Sequence, residues 1–215
     1  MVQSFPNGDL MARLRVVSAT FTLDSPQQIR RQGSGAIQAR SLGSRLWSAR
    51  IASVCRTFRE LAEVQALIEA LDGSIQPFHV YDPFKAYPAS DPGGVLLGGS
   101  TPSLHTIDAD NKRIRVQGLP AGYQLALGDL LAFDYGSPAI RALHRVQEIA
   151  GIAADGSGVT PLFEVRPHVR AGAATSDPVY LAKPAAIMRL LPGTVSVEAS
   201  AGAKSISFEA VQVIG

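Results

Sequence analysis

A single stretch of the sequence has a helical period of apolar residues, and it stands among many short stretches in which apolar and polar residues alternate. The helical stretch covers residues 58–71. Its apolar stripe, at spacings of three and four, consists of Leu61, Val64, Leu67, Ile68 and Leu71. Thr57 and Glu60 have the spacing of a capping box, and Asp72-Gly73 supplies a left-handed stop. The pattern predicts one helix that packs on a sheet.

The alternating stretches predict β-strands. Residues 13–23 alternate at a period of two, as a half-buried strand requires. Similar patterns predict strands over residues 36–39, 47–53 and 75–81. Residues 27–32 are polar and basic without a usable period, so we expect a loop or a sheet edge there.

A change of composition divides the chain. Residues 88–102 are rich in Pro, Gly and Ser, which indicates a linker or flexible loop and a domain boundary. Short strand patterns then follow without a helix, which predicts a small β-barrel or β-sandwich. The last pattern, residues 195–210, predicts a closing hairpin that can rejoin the first sheet. We therefore expect a mainly β, α+β chain in which residues 1–90 and 186–215 form one domain and residues 91–185 form an inserted β-rich domain.

Charge and composition exclude several classes of protein. The chain has 20 basic and 18 acidic residues and no dense Lys/Arg tract, so specific nucleic-acid binding is not expected. Sixteen of the basic residues are Arg, which favours protein interfaces and is equally explained by a GC-rich coding bias. Cys55 is the only cysteine, which excludes a disulfide-stapled module. The apolar stretches are too short for a membrane helix, and residues 1–14 lack a signal-peptide pattern, so we expect folding in the cytoplasm.

The residues that often form metal or nucleophile sites lack the required spacing. The four histidines are scattered, and they are His79, His105, His144 and His168. His79 and His144 fall inside strand patterns, where a hydrogen-bonded structural imidazole is a simpler explanation than a metal ligand. Residues 33–35, Gly-Ser-Gly, lack the third glycine of a phosphate loop. Residues 108–111 begin like a calcium loop, but Lys112 falls at a ligand position. Cys55 is best interpreted as an inert thiol.

Two sets of residues suggest sharper functions. Asp129 and Asp134 could be paired carboxylates of a cell-wall hydrolase, although turn chemistry explains both more simply. Tyr123, Tyr135 and Tyr180 are the candidate stacking residues of a carbohydrate-binding module. We nevertheless predict that the chain is not an enzyme and has no catalytic, cofactor-binding or metal-binding residues.

Several blocks of the chain resemble minor tail proteins of long-tailed bacteriophages and gene transfer agents. The blocks are SARI at 48–51, the helix pattern ending in EALDG at 69–73, IQPFHVYDP at 75–83, LGDLLAF at 127–133 and ADGSGVTPLFEVRP at 154–167. In that family, ring-forming distal tail proteins have a tube-like β domain with one helix and a second β domain of oligosaccharide-binding-like or galectin-like type. The resemblance thus implies a tube-like first domain and an inserted small β-barrel or β-sandwich.

The resemblance also implies a function. It predicts a structural virion component in the distal tail, assembled in the cytoplasm of a bacterial host. The subunits would form a homohexameric ring that links the tail tube protein to the tip or baseplate hub protein. The tape-measure protein and, during ejection, DNA would pass through the lumen. A carbohydrate-binding module for host attachment remains the alternative.

The contact surfaces of such a ring can also be predicted. Residues 27–38 and the closing hairpin are polar, glycine-bearing edges without obvious partners in the chain. We expect the contacts between copies to concentrate there.

Overall fold

The computed structural model of the chain describes residues 4–137 and 139–214, and these form a mainly β fold. The elements, in chain order, are α1 Leu10–Arg13, β1 Val16–Asp24, β2 Gln27–Arg31, β3 Ile37–Ser41, β4 Leu46–Val54, α2 Phe58–Glu69, β5 Phe78–Tyr81, the 3-10 helix Pro83–Lys85, β6 Ser103–Ile107, β7 Arg113–Gln117, β8 Gln124–Leu125, β9 Leu130–Tyr135, β10 Ile140–Val146, β11 Ile152–Ala153, β12 Phe163–Arg166, β13 Val179–Tyr180, β14 Ala185–Leu190, β15 Ser196–Ala199 and β16 Lys204–Gln212. The predicted mainly β, α+β fold class is confirmed.

The first sheet joins the two ends of the chain. Its order is β1-β4-β16-β14-β5 with every pairing antiparallel, and β15 adds to β16 as the predicted closing hairpin. Alternation along β4 buries Trp47, Ala49 and Ile51 and leaves Arg50 exposed on the opposite face. The closing hairpin therefore does rejoin the sheet that holds the N-terminal strands.

Helix α2 covers the buried face of this sheet. The hydroxyl of Thr57 accepts a hydrogen bond from the Glu60 amide at 3.1 Å, while the Glu60 carboxylate accepts from the Arg56 amide at 2.7 Å. Most of the predicted stripe is buried, namely Leu61, Val64, Ile68 and Leu71. Asp72 and Gly73 have φ angles of 49° and 65°, so the predicted left-handed stop is confirmed.

The second sheet forms a nearly closed barrel. Its order is β13-β9-β10-β12-β7-β6, and an antiparallel bridge between Ser103 and Pro178 connects its two outermost strands. The Val179 amide donates to the Pro102 carbonyl at 2.8 Å beside this bridge. The sequence predicts a small β-barrel or β-sandwich for residues 91–185, and the structure has a nearly closed barrel there.

Each sheet has its own apolar core, but barrel residues also contribute to the first core. Leu130, Ala132 and Leu143 lie in β9 and β10, and all three pack with the buried face of the first sheet. The Trp47 indole nitrogen donates to the Leu143 carbonyl at 2.7 Å across this boundary. The predicted division into residues 1–90 with 186–215 and residues 91–185 stays a prediction.

Two local expectations differ from the structure, and a third is made more specific. Helix α1 precedes β1, and its buried Leu10 and Met11 follow an Asn7 side chain that accepts from the Asp9 and Leu10 amides. Residues 27–31, expected as a loop or a sheet edge, form β2, an edge strand that pairs only with β3. The segment 88–102 is packed rather than open, because the buried Asp91 carboxylate accepts from the Leu96 and Leu97 amides at 3.1 and 2.9 Å.

Candidate functional site

The hairpin of β2 and β3 has two chemically different faces. Its register pairs Ile29 with Ala39 and Arg31 with Ile37, so the two isoleucines share one face. The opposite face pairs Gln28 with Arg40 and Arg30 with Gln38 and is polar and basic. One face thus carries Ile29, Ile37 and Ala39 together with Arg31, so the hairpin is only partly amphipathic. Such a pattern normally accompanies burial of one face.

Neither face of this hairpin is covered in the described structure. Every residue of β2 and β3 is exposed, and Ile29 and Ile37 are 65% and 62% exposed. The hairpin is closed at its base by the Leu42 amide, which donates to the Pro26 carbonyl at 2.9 Å. A two-stranded hairpin is at best marginally stable alone in water. The predicted contact segment is therefore available, with an apolar face, for another molecule.

The face of the first sheet opposite helix α2 is rich in hydroxyl groups. Thr20, Thr22 and Ser48 lie on it beside Arg50 and Glu209. The Arg50 Nε donates to the Glu209 carboxylate at 2.8 Å, so these two charges neutralise each other. Around this ion pair the face presents short, polar side chains. Arg189 lies on the same face, because it pairs with Val211, which pairs with Ser48; it is exposed and forms no ion pair among the described residues.

The two candidate carboxylates of a hydrolase have structural partners. Asp129 accepts from the Ala89 and Ala126 amides at 2.9 and 2.7 Å and so holds two loops together. Asp134 forms a two-point ion pair with Arg141 at 2.8 and 2.9 Å. Hydrogen bonds from Arg141 hold the pKa of Asp134 below its ordinary value. A general acid needs a raised pKa, so this environment does not suit Asp134 to that role.

The three candidate sugar-stacking rings are occupied within the fold. Tyr123 and Tyr135 are buried, and burial together with Asp91 raises the pKa of Tyr123. The Arg141 guanidinium lies 3.8 Å from the centroid of the Tyr180 ring. Two of the rings are therefore unavailable for sugar stacking, and the half-buried Tyr180 has one face covered by Arg141.

The histidines are placed in different environments. His144 is buried in the barrel, where its Nδ1 donates to the Pro167 carbonyl at 2.7 Å. Burial lowers the pKa of His79, with a further contribution from Arg141. His105 is exposed in β6, and His168 follows β12. In the described residues, no group of three or more His, Cys, Asp or Glu side chains is arranged to hold a metal ion.

The remaining sequence candidates lie in turns or at a strand end. Residues 33–35 form the tip of the β2–β3 hairpin, not the start of a helix. Asp108 and Asp110 accept hydrogen bonds from amides of their own turn. Burial, then the Glu60 charge, raises the pKa of Cys55, which disfavours the thiolate. Within residues 4–137 and 139–214, neither α-helix has the length and apolarity that crossing a bilayer requires.

The arginines are concentrated in one segment of the chain, which the nearly balanced charge of the whole sequence conceals. Residues 25–59 contain seven arginines and no acidic residue, although the chain as a whole has a formal net charge of +2. The other residues together are therefore acidic, with a formal charge of −5. A count within sequence windows would have found this segregation of charge.

Comparison with known proteins adds no family to these observations. No protein-family model matches the chain, and no curated protein has significant sequence similarity to it.

Proposed function

We propose that this chain is a structural, non-enzymatic subunit of the distal end of a phage-type tail, where copies of it assemble into a ring. The observation that carries the proposal is the exposed, amphipathic β2–β3 hairpin. If a second copy covers the exposed isoleucines, the free energy of the assembly falls by roughly 25 cal/mol for each Å² of apolar surface removed from water. The resemblance of the sequence to minor tail proteins supports the choice of particle.

Ring closure follows from the kind of contact that a hairpin makes. A projecting hairpin that docks on a different surface of its neighbour forms a heterologous contact, and such contacts generate rings when the rotation closes. The first sheet ends at β1 on one side, so further backbone groups lie at that edge. At the other side β5 is bridged by Asn7, whose carbonyl accepts from the His79 amide at 2.9 Å. The resemblance further suggests a sixfold ring. It also suggests the neighbours of that ring, which are the tail tube protein, the hub protein and the tape-measure protein.

The hydroxyl-rich face of the first sheet suits the lumen of such a ring. Thr20, Thr22 and Ser48 are short, and the Arg50–Glu209 pair is neutral overall. Attraction between protein and DNA comes mainly from unpaired Lys and Arg at the phosphates. A surface of this composition lets DNA pass without holding it.

Native mass spectrometry with negative-stain imaging tests the proposal. The purified chain is expected to form closed rings with a central hole. Changing Ile29 and Ile37 together to Asp places two charges on the hairpin's apolar face, and we expect that variant to be monomeric with an unchanged circular dichroism spectrum.

Ile75→Asp is the matched control, because Ile75 is also 65% exposed but lies outside the hairpin. It should assemble like the unmodified chain. A chain that remains monomeric both alone and when mixed with purified tail tubes would contradict the ring proposal, as would rings that form equally well in the double hairpin variant.

A further inference from the structure

A cleft of about 380 Å³ lies between the base of the β2–β3 hairpin and the residues that follow β12. Its lining includes the hydroxyl residues Ser41 and Ser44 and the basic residues Arg45, His168 and Arg170. The two walls come from segments more than 100 residues apart in the chain. Three nitrogen-bearing side chains therefore line one depression in the surface.

The two arginines of the cleft have no acidic partner. The Arg170 guanidinium is oriented by neutral acceptors, the Arg45 carbonyl at 3.2 Å and the Tyr135 hydroxyl at 3.3 Å. Arg45 is exposed. Among the described residues, no carboxylate forms an ion pair with either arginine. Arg170 is thus held in place while its charge remains uncompensated.

His168 lies at the wall of the cleft, on the side formed by the residues that follow β12. Its Nε2 contacts a guanidinium nitrogen of Arg166. Its Nδ1 is buried and has no hydrogen-bond partner among the described residues, so this nitrogen is shielded from a ligand in the cleft. The imidazole of His168 therefore forms part of the wall and can report binding there.

The wider surroundings add further positive charge. Arg166 pairs with Glu164, and Lys112 lies 3.6 Å from Asp110, so these two cations are compensated. Arg40, in the acid-free segment, directly precedes the cleft residue Ser41, and together with Arg30 it lines a separate depression on the hairpin. The cleft therefore lies in a region of excess positive charge, which concentrates anions.

We propose that this cleft binds a phosphate-type oxyanion, with the Arg45 and Arg170 guanidinium groups as charged donors and the Ser44 hydroxyl as a neutral donor. The planar guanidinium fork matches the oxygen spacing of such an anion, and charge-assisted hydrogen bonds are the strong ones. The inference goes beyond the ring proposal and does not depend on it. Free phosphate, a small phosphorylated molecule and the phosphodiester backbone of nucleic acid all present this chemistry.

Nuclear magnetic resonance titration with inorganic phosphate tests the site in the full chain. The imidazole signals of His168 should shift in a saturable way as phosphate is added. Arg45→Gln and Arg170→Gln should each weaken the apparent affinity about tenfold or more, which is the usual effect of losing a charge-assisted hydrogen bond. Retained near-ultraviolet circular dichroism shows that each variant is folded.

Arg189→Gln is the matched control, because Arg189 is an exposed arginine of β14 outside the cleft. It removes the same charge and should leave phosphate binding unchanged. If all three variants lowered the affinity for phosphate equally, the loss would come from the change in net charge, and the proposed site would be wrong. The absence of any saturable response of His168, both to phosphate and to duplex DNA, would also overturn it.

A second arm identifies the source of the phosphate. If the ligand is nucleic acid, duplex DNA binds, and each cleft variant lowers the slope of log affinity against log salt by about one. If the ligand is small, the cleft variants weaken phosphate binding and leave DNA binding unchanged. Should they instead disrupt only self-assembly, with no effect of phosphate or DNA, the arginines belong to a subunit contact and the oxyanion proposal is wrong.

Discussion

His144 lies fully inside the barrel, stacked on Phe133 with ring centroids 4.6 Å apart. Burial lowers the pKa of His144 to about 4, since an imidazolium at this position would lose its hydration. The bond to the Pro167 carbonyl opposes this shift, while Arg170 and His168 reinforce it. The native protein therefore holds His144 neutral over a pH range in which the unfolded chain is protonated.

This difference predicts a loss of stability in acid. As the pH falls from about 6.5 to about 4, the unfolded state binds a proton that the native state does not, so the free energy of unfolding decreases. Once the pH is below both pKa values, the decrease in the free energy of unfolding that His144 causes is complete, and it amounts to about 3 kcal/mol. Urea unfolding at several pH values between 4 and 7 measures this slope.

His144→Gln removes the titrating group and should flatten the slope, whatever its effect on stability at pH 7. His105→Gln removes an exposed histidine of β6 and should keep the slope of the unmodified chain. An unchanged slope in His144→Gln would mean that another group causes the acid sensitivity.

Helix α2 depends on a cap that its sequence makes evident. The Thr57 hydroxyl accepts from the Glu60 amide, one of the four amides that a helix start leaves without a carbonyl partner. Thr57→Ala should lower the free energy of unfolding by about 1 kcal/mol. Thr57→Ser keeps the hydroxyl and should cost much less. Denaturant midpoints of the two variants check this, and equal losses would show that the methyl group, not the cap, stabilises the helix.

The elements that could be predicted are those with a long period or a marked end. Helix α2 has both, while β4 alternates over nine residues and β1 over residues 18–24, after its register shift. Helix α1 has only four residues, too few to show a period. Strand β2 could be expected only as a loop or a sheet edge, because it has a single apolar residue, Ile29, and so shows no apolar period.

The candidate sites divide in the same way. The hairpin could be predicted as a contact segment from the sequence, because its polar and glycine residues are consecutive in the chain. The cleft could not, because Arg45 and Arg170 are brought together only when the hairpin base meets the end of β12. The partners of Asp134 and Tyr180 were equally hidden, since Arg141 reaches both through strand pairing and packing.

The first sheet and the barrel are joined at a junction formed by Trp47, Leu143 and Arg145. The indole nitrogen of Trp47 donates to the Leu143 carbonyl at 2.7 Å, and the Arg145 guanidinium lies 4.7 Å from the indole centroid. Leu143 also packs within the first core. Opening the barrel alone would therefore expose part of the first core and leave the buried indole N–H of Trp47 without its acceptor, which costs about 1–3 kcal/mol in general.

We accordingly expect the two sheets to unfold as one cooperative unit. Trp47 is the only tryptophan and is fully buried, so its fluorescence reports the opening of the junction, while far-ultraviolet circular dichroism reports all strands. The two denaturation curves should coincide. Arg145→Met removes the cation–π contact but keeps an apolar side chain, and should shift both curves together by about 0.5–2 kcal/mol. A fluorescence change at lower denaturant than the loss of strands would instead mean that residues 91–185 separate first, as an independent inserted domain.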